Sequence, residues 1–186
     1  MAHEGKLPQV NRFITTHDSN GKAVFSDALP EESTMKGLAN TSPVMGFALS
    51  YTTSTFPVDM AGDKDVTAYK KYLSDPPGLS VSNGTVLRHV DFEPGVTSAM
   101  HRTVSLDYGI LLEGQIEAVL DSGEARLMKR GDVCVQRGTM HAWRNPSPTE
   151  WARMVFVLQT CEPVEFKGEK VGEDLGTVHD TVRPST

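Results

Sequence analysis

The chain has 186 residues, with 24 acidic against 18 basic side chains for a formal charge of −6, and an apolar fraction of 38%. That length suits one domain with a real core rather than two, and an acidic balance without a basic patch argues against a nucleic-acid partner. The longest mostly apolar runs, such as VFVL at 155–158, fall far short of a membrane span, and MAHEGKLPQV lacks the charged start and apolar core of a secretory signal, so cytoplasmic residence is the expectation.

Three stretches follow one another. Residues 1–83 are mixed and read as an extension that covers edge strands of the next stretch or swaps between subunits. Within it, RFITTHDSNGKAVF at 12–25 predicts a hairpin turning at Asp18-Ser19-Asn20-Gly21. GFALSYTTSTF at 46–56 is rich in β-formers and predicts a strand. DKDVTAYKKYLSDPPG at 63–78 has helical spacing through Val66, Tyr69, Tyr72 and Leu73, and Pro76 and Pro77 end it. One short helix is all the pattern supports.

Residues 84–160 are dense in short alternating runs divided by glycine turns. TVLRHVDFEPG at 85–95 stops at Pro94-Gly95, and YGILLEG at 108–114 closes on Glu113-Gly114. QIEAVLDSGEARL at 115–127 turns at Asp121-Ser122-Gly123. Further turns fall at Arg130-Gly131 and Arg137-Gly138, and WARMVFVLQT at 151–160 is a strong closing strand. About seven short strands at this spacing predict an all-β antiparallel barrel or sandwich. Residues 161–186 are polar and read as an exposed tail. Cys134 and Cys161 have neither zinc-type spacing nor a disulfide framework and read as reduced packing residues.

The middle stretch resembles the cupin superfamily of small jelly-roll barrels. Gly95, five residues, His101, then Asp107 and Gly114 follow the spacing of that family's first motif, with Thr103 where a second histidine is usual. Gly131 opens the second motif, and HAWRN at 141–145 ends it with His141 and Asn145 in place; the connection QRGTMH lacks the expected proline and is one residue short. The resemblance covers residues 84–160. It implies a cupin jelly-roll barrel core there, with the β-rich extension before it. HRTVSLDYG and GDVCVQRGTMHAW are similar to a subgroup of short single-domain cupins from small-molecule pathways of secondary metabolism, where dehydratase-like roles have been proposed.

The resemblance aligns His101, Thr103, Asp107 and His141 as the site. An ordinary cupin set presents three imidazoles and a carboxylate to a divalent metal. Thr103 is a poor ligand, because a neutral hydroxyl donates little charge. Two readings follow. His101, Asp107 and His141 could hold one divalent metal (Zn, Fe, Mn or Ni) as a two-histidine, one-carboxylate face. Alternatively no metal binds, and the same three residues act as organic acid and base, with histidine near its ordinary pKa of about 6.5.

Three functions are compatible with such a site. The first is a lyase (dehydratase) or isomerase working by acid–base chemistry on an oxygenated metabolite; the second a metal-dependent oxygenase; the third a non-catalytic ligand-binding barrel. Arg88 shares a period-two face with Val86, Val90 and Phe92. It is either a buried partner for a substrate carboxylate or carbonyl, or, the favoured alternative, an edge arginine paired with a surface acid. Thr103 could offer a substrate a hydroxyl, and Trp143 should face the same side as His141. Tyr108 reads as a packing residue and YTTSTF as strand, with a lesser option of lining the pocket mouth. His89 is expected to be exposed, and His3, His17 and His179 receive no role. A small-molecule substrate and a homodimer are the expected partners.

Overall fold

Alternation of apolar and polar residues through the middle of the chain places one side of each strand in a shared interior. The computed structural model describes residues 7–37, 45–178 and 182–185; His3 and His179 lie outside them. In chain order the elements are β1 (Thr15–His17), β2 (Ala23–Phe25), β3 (Lys36–Gly37), β4 (Met45–Thr52), α1 (Lys64–Ser74), β5 (Thr85–Phe92) and β6 (Ser105–Glu113). Then come β7 (Gln115–Leu120), β8 (Ala125–Lys129), β9 (Val133–Arg137), β10 (His141–Arg144), β11 (Ala152–Thr160), β12 (Glu165–Phe166) and β13 (Glu169–Lys170).

A six-stranded sheet runs β3-β4-β5-β11-β6-β9, and a three-stranded sheet runs β10-β7-β8. All the pairings are antiparallel. Val86, Val90 and Phe92 from β5, Leu111 from β6 and Met154, Phe156 and Leu158 from β11 meet Ile116, Ala118, Met128 and Trp143 of the smaller sheet in one cluster. Each such large side chain contributes about 1.5–3 kcal/mol by leaving water. This is the jelly-roll architecture expected for the middle of the chain.

Gly114 lets the chain leave one sheet and enter the other within a single residue. Its φ is +72°, a left-handed conformation, and a Cβ there would lie 2.6 Å from the Trp151 carbonyl oxygen. The closing glycine of the first motif is thus required by backbone geometry. Asn145, at the end of the second motif, is also architectural. Its buried amide donates to the carbonyls of Phe92 (3.1 Å), Glu93 (3.1 Å) and Glu150 (2.8 Å), while Oδ1 accepts from the Ser147 amide at 3.0 Å. Asn145→Ala is expected to lower stability by about 2–3 kcal/mol in urea denaturation, because it strands buried backbone groups.

The extension packs on this chain's own barrel. Its hairpin forms as predicted, with Asp18 Oδ1 accepting from the amides of Asn20 and Lys22 at 2.8 and 2.9 Å. β4 pairs with β5, while Val10 and Met35 cover Ala48 on the outer face. The strand stops at Thr52, so most of YTTSTF lies beyond it. The helix covers 64–74, inside the predicted span, and Tyr69 ties it to β4 by donating to the Leu49 carbonyl at 2.6 Å.

Two expectations change here. His89 is half-buried rather than exposed, because the extension covers its face; its Nδ1 lies 2.7 Å from Ser50 Oγ. The last stretch is not a free tail. Asp174 and Arg102 exchange backbone hydrogen bonds of 2.7 and 2.9 Å, Leu175 is buried, and Ser185 Oγ donates to Glu173 at 2.6 Å while accepting from the Ser80 amide at 3.1 Å. The returning segment closes over one end of the barrel.

Candidate active site

The two motif histidines are brought together by the backbone. His101 and His141 exchange both N–H···O bonds, each 2.9 Å, as an antiparallel bridge. Directly opposed residues of such a pair project to the same face, and the two rings stand with centroids 4.4 Å apart. Each Nδ1 lies 2.9 Å from a carbonyl oxygen two residues earlier, Ala99 for His101 and Thr139 for His141. A carbonyl only accepts, so both Nδ1 atoms carry the proton and both Nε2 lone pairs remain for a ligand.

Asp107 comes from the opposite sheet. Alternation along β6 turns Ser105, Asp107, Gly109 and Leu111 inward and leaves Tyr108 outside. Thr103 is buried, donates to Asp107 Oδ2 at 3.3 Å and accepts from Ser105 Oγ at 2.7 Å. The residue in place of the usual histidine therefore orients the carboxylate. Asp107 Oδ1 is buried without a hydrogen-bond partner among the described residues.

These groups share a pocket of about 80 Å³ walled by Met45, Phe47, Leu79, Val90, Phe92 and Phe156, with Trp143 beside His141. The indole meets the His141 ring edge-on at 5.4 Å and touches Phe156 across the sheets at 5.3 Å. In these apolar surroundings charge is disfavoured. Burial pushes Asp107 up to about 6, against the lowering effect of the neighbouring Ser105 and Thr103 hydroxyls. Burial, reinforced by the neighbouring His101, pushes His141 down to about 4, and burial also lowers His101. The sequence expectation of histidines titrating near 6.5 is corrected: the group poised near neutrality is the carboxyl, facing two neutral imidazoles.

A divalent metal would have to take its ligands from these three side chains. Two free Nε2 atoms and the unpartnered Oδ1 are the right atom types. Yet among the described residues no three His, Cys, Asp or Glu side chains are grouped to hold an ion. The donors as placed do not fit a three-ligand centre.

Of the residues singled out in the sequence, the fold gathers His101, Thr103, Asp107, His141 and Trp143 into one pocket. Arg88 is not among its lining residues. It points inward and is 9% exposed, but it is not the edge arginine paired with a surface acid that the sequence favoured; it donates to the Gly78 carbonyl at 3.0 Å and lines an adjoining cavity. No residue of YTTSTF lines either cavity. Ser105, Phe47, Leu79 and Val182 were missed. Parity with Asp107 could have found Ser105, whereas Leu79 and Val182 come from irregular segments with no periodic signal.

An antiparallel two-sheet barrel with paired histidines and a carboxylate inside it defines a cupin-type protein. Its relatives agree. The chain is 47% identical over 184 residues to phomopsin biosynthesis cluster protein C' of Diaporthe leptostromiformis, covering 97% of this chain and 94% of that one. It is 43% identical over 175 residues to oryzines biosynthesis cluster protein J of Aspergillus oryzae, covering 94% and 96%. It is 42% identical over 176 residues to a cupin-domain-containing oxidoreductase of Aspergillus ruber, covering 92% and 83%. The chain belongs to this family of cupin-domain proteins. No family model matches it.

Proposed function

We propose that this protein is an enzyme of a biosynthetic pathway for a specialised metabolite, and that it moves a proton on a small oxygenated substrate, by elimination of water or by isomerisation. The observation that carries this reading is Asp107: a buried carboxyl titrating near 6, with a free oxygen, on the wall of an apolar pocket beside two neutral imidazoles. As carboxylate it takes a proton from a carbon next to an electron-withdrawing group. As carboxylic acid it returns that proton to another carbon of the same system, which is isomerisation. Alternatively it gives the proton to a departing hydroxyl, which leaves as water. Both cycles restore Asp107 and consume no oxidant. The Nε2 atoms of His101 and His141 accept hydrogen bonds from substrate hydroxyls and hold them in place. The kinship with proteins named for biosynthetic clusters supports the pathway setting.

The test uses the metabolite that accumulates when the gene is deleted in its host. Incubated with purified protein, it should isomerise or lose water, giving a product at the oxidation level of the substrate with no uptake of dioxygen. Oxygen consumption, or a product oxidised relative to the substrate, overturns this reading.

A second reading is redox chemistry, favoured by the name oxidoreductase carried by the Aspergillus ruber relative. It would need a diffusible oxidant and a rearranged donor set. Titration of the metal-stripped protein with Fe(II), Mn(II), Ni(II) or Zn(II) distinguishes the two. Proton transfer predicts rates unchanged within about twofold, whereas a metal-dependent oxidation predicts restoration by one ion at one equivalent.

A further inference from the structure

The pocket that holds His101, Asp107 and His141 is small, about 80 Å³, whereas sites for whole metabolites usually span about 300–1,000 Å³. Next to it lies a cavity of about 650 Å³. Phe47 and Val182 line both, so the smaller reaction pocket and the larger cavity adjoin at these two side chains.

Among the described residues that line the larger cavity, Arg88 is the buried cation. Arg88 is 9% exposed and makes a single hydrogen bond, to the Gly78 carbonyl; its other N–H groups have no protein acceptor among the described residues. No carboxylate lies within ion-pair distance of it among those residues. Its guanidinium carbon is 5.9 Å from the centroid of the Phe47 ring, the ring that both cavities share. Burial lowers its pKa to about 10, which leaves it charged at neutral pH. Arg12, Lys36 and Arg183 also line the chamber, against one acid, Glu32. Arg12 is half-buried and bonded to Tyr69 and Pro30 through its Nη atoms, with Nε left unpartnered, and Arg183 is exposed and bonded to Asp75; Arg88 is the most buried of these cations.

The N–H groups of Arg88 that the protein leaves unused are not sealed in the core but face the cavity it lines, where a ligand can complete them. A planar fork of N–H groups matches a carboxylate. We propose that the chamber is an anion subsite in which Arg88 binds a carboxylate of the substrate, while the reacting end of the same molecule passes Phe47 and Val182 to reach Asp107. This deepens the proton-transfer reading and rests on it for the reacting end. The substrate class it names is a carboxylic acid whose acid group is separated from the reacting carbon by the span from Arg88 to Asp107.

The experiment measures binding of matched acids and amides by calorimetry at pH 7. The probes are hexanoate against hexanamide and phenylacetate against phenylacetamide, with inorganic phosphate as a competing anion. The wild-type protein should bind each acid at least about tenfold more tightly than its amide, the discrimination expected of a charge-assisted hydrogen-bonded pair. Arg88→Met should erase that preference, and Asp107→Asn should retain it. Equal binding of acid and amide by the wild-type protein overturns the proposal, even if Arg88→Met does not fold. A preference that survives in folded Arg88→Met, or tight binding of phosphate with none of carboxylates, also overturns it. An acid preference that depends on Arg88, in a protein that oxidises its substrate with uptake of dioxygen, upholds the subsite and removes only the proton-transfer reading.

Discussion

Asp107→Asn should abolish turnover, lowering kcat/KM by about 10³-fold while leaving the protein folded and more stable at neutral pH. The loss follows from the role of the carboxyl as the proton carrier, since general acid–base groups contribute about 10²–10⁴-fold. The amide keeps the side-chain shape but cannot accept and return a proton. In the unaltered protein the active form is the carboxylate, so kcat/KM should rise with pH through about 6 and level off above it. His141, held near 4, is neutral throughout that window and does not set the limb. The gain in stability has its own sign. Asp107 titrates near 6 folded and near 3.8 unfolded. Between those values the native state binds more protons, so this group's contribution to stability falls as pH rises from about 4 to 6. Removing the charge should recover up to about 3 kcal/mol at pH 7, read as a higher urea midpoint with an unchanged slope. Loss of activity together with loss of stability would instead mark Asp107 as a packing residue. A limb that stays at pH 6 in a residually active variant would assign the titration to another group.

Asp91→Ala should be the most damaging single change to the fold, at about 3–5 kcal/mol. Arg153 grips this carboxylate with two nearly parallel hydrogen bonds, Nε to Oδ1 at 2.5 Å and Nη2 to Oδ2 at 2.7 Å, and both residues are buried. The guanidinium also donates to the Pro8 carbonyl at 2.6 Å, so the pair fastens the N-terminal extension to the outside of the barrel. Truncating the acid strands a buried cation and releases that extension. Replacing both partners with apolar residues, Asp91→Leu with Arg153→Met, should recover most of the loss, because the penalty comes from the unpaired charge. Urea denaturation of the two single variants and the double variant provides the check. Limited proteolysis near residue 8 should show the extension loosened in the single variants first.

The barrel was readable in the sequence because its causes are local. Alternation turned Val86, Val90 and Phe92 inward, and glycine marked the turn at 114 where no side chain fits. The contact between His101 and His141 was readable only as spacing: the two motifs predicted a shared site, but the exchanged backbone bonds that set the rings 4.4 Å apart belong to the folded chain. Arg88 shows where such reading fails. Its parity pointed inward correctly, yet the expected acidic partner is absent among the described residues; the guanidinium rests instead against Gly78 and Phe47. Gly78 sits in a segment without periodicity, and nothing in its composition announces a carbonyl aimed at an arginine. The final stretch failed for a similar reason. A polar segment held by one leucine and a backbone bridge to Arg102 looks, by composition, like one that is free in water. The titration behaviour was also beyond reach, since it depends on how dry the pocket is.

The reacting groups stand on different walls, the imidazoles on the side of the three-stranded sheet and the carboxylate on the six-stranded one. Trp143 and Phe156, in contact across the interior, act as the spacer that sets the gap between them. Core volume is therefore a ruler for the chemistry. A trimmed spacer would let the walls draw in and a bulkier one would part them, changing which substrate atoms can bridge carboxyl and imidazole. Members of this family could exchange substrates by altering filler residues deep in the barrel, with every reacting side chain left in place.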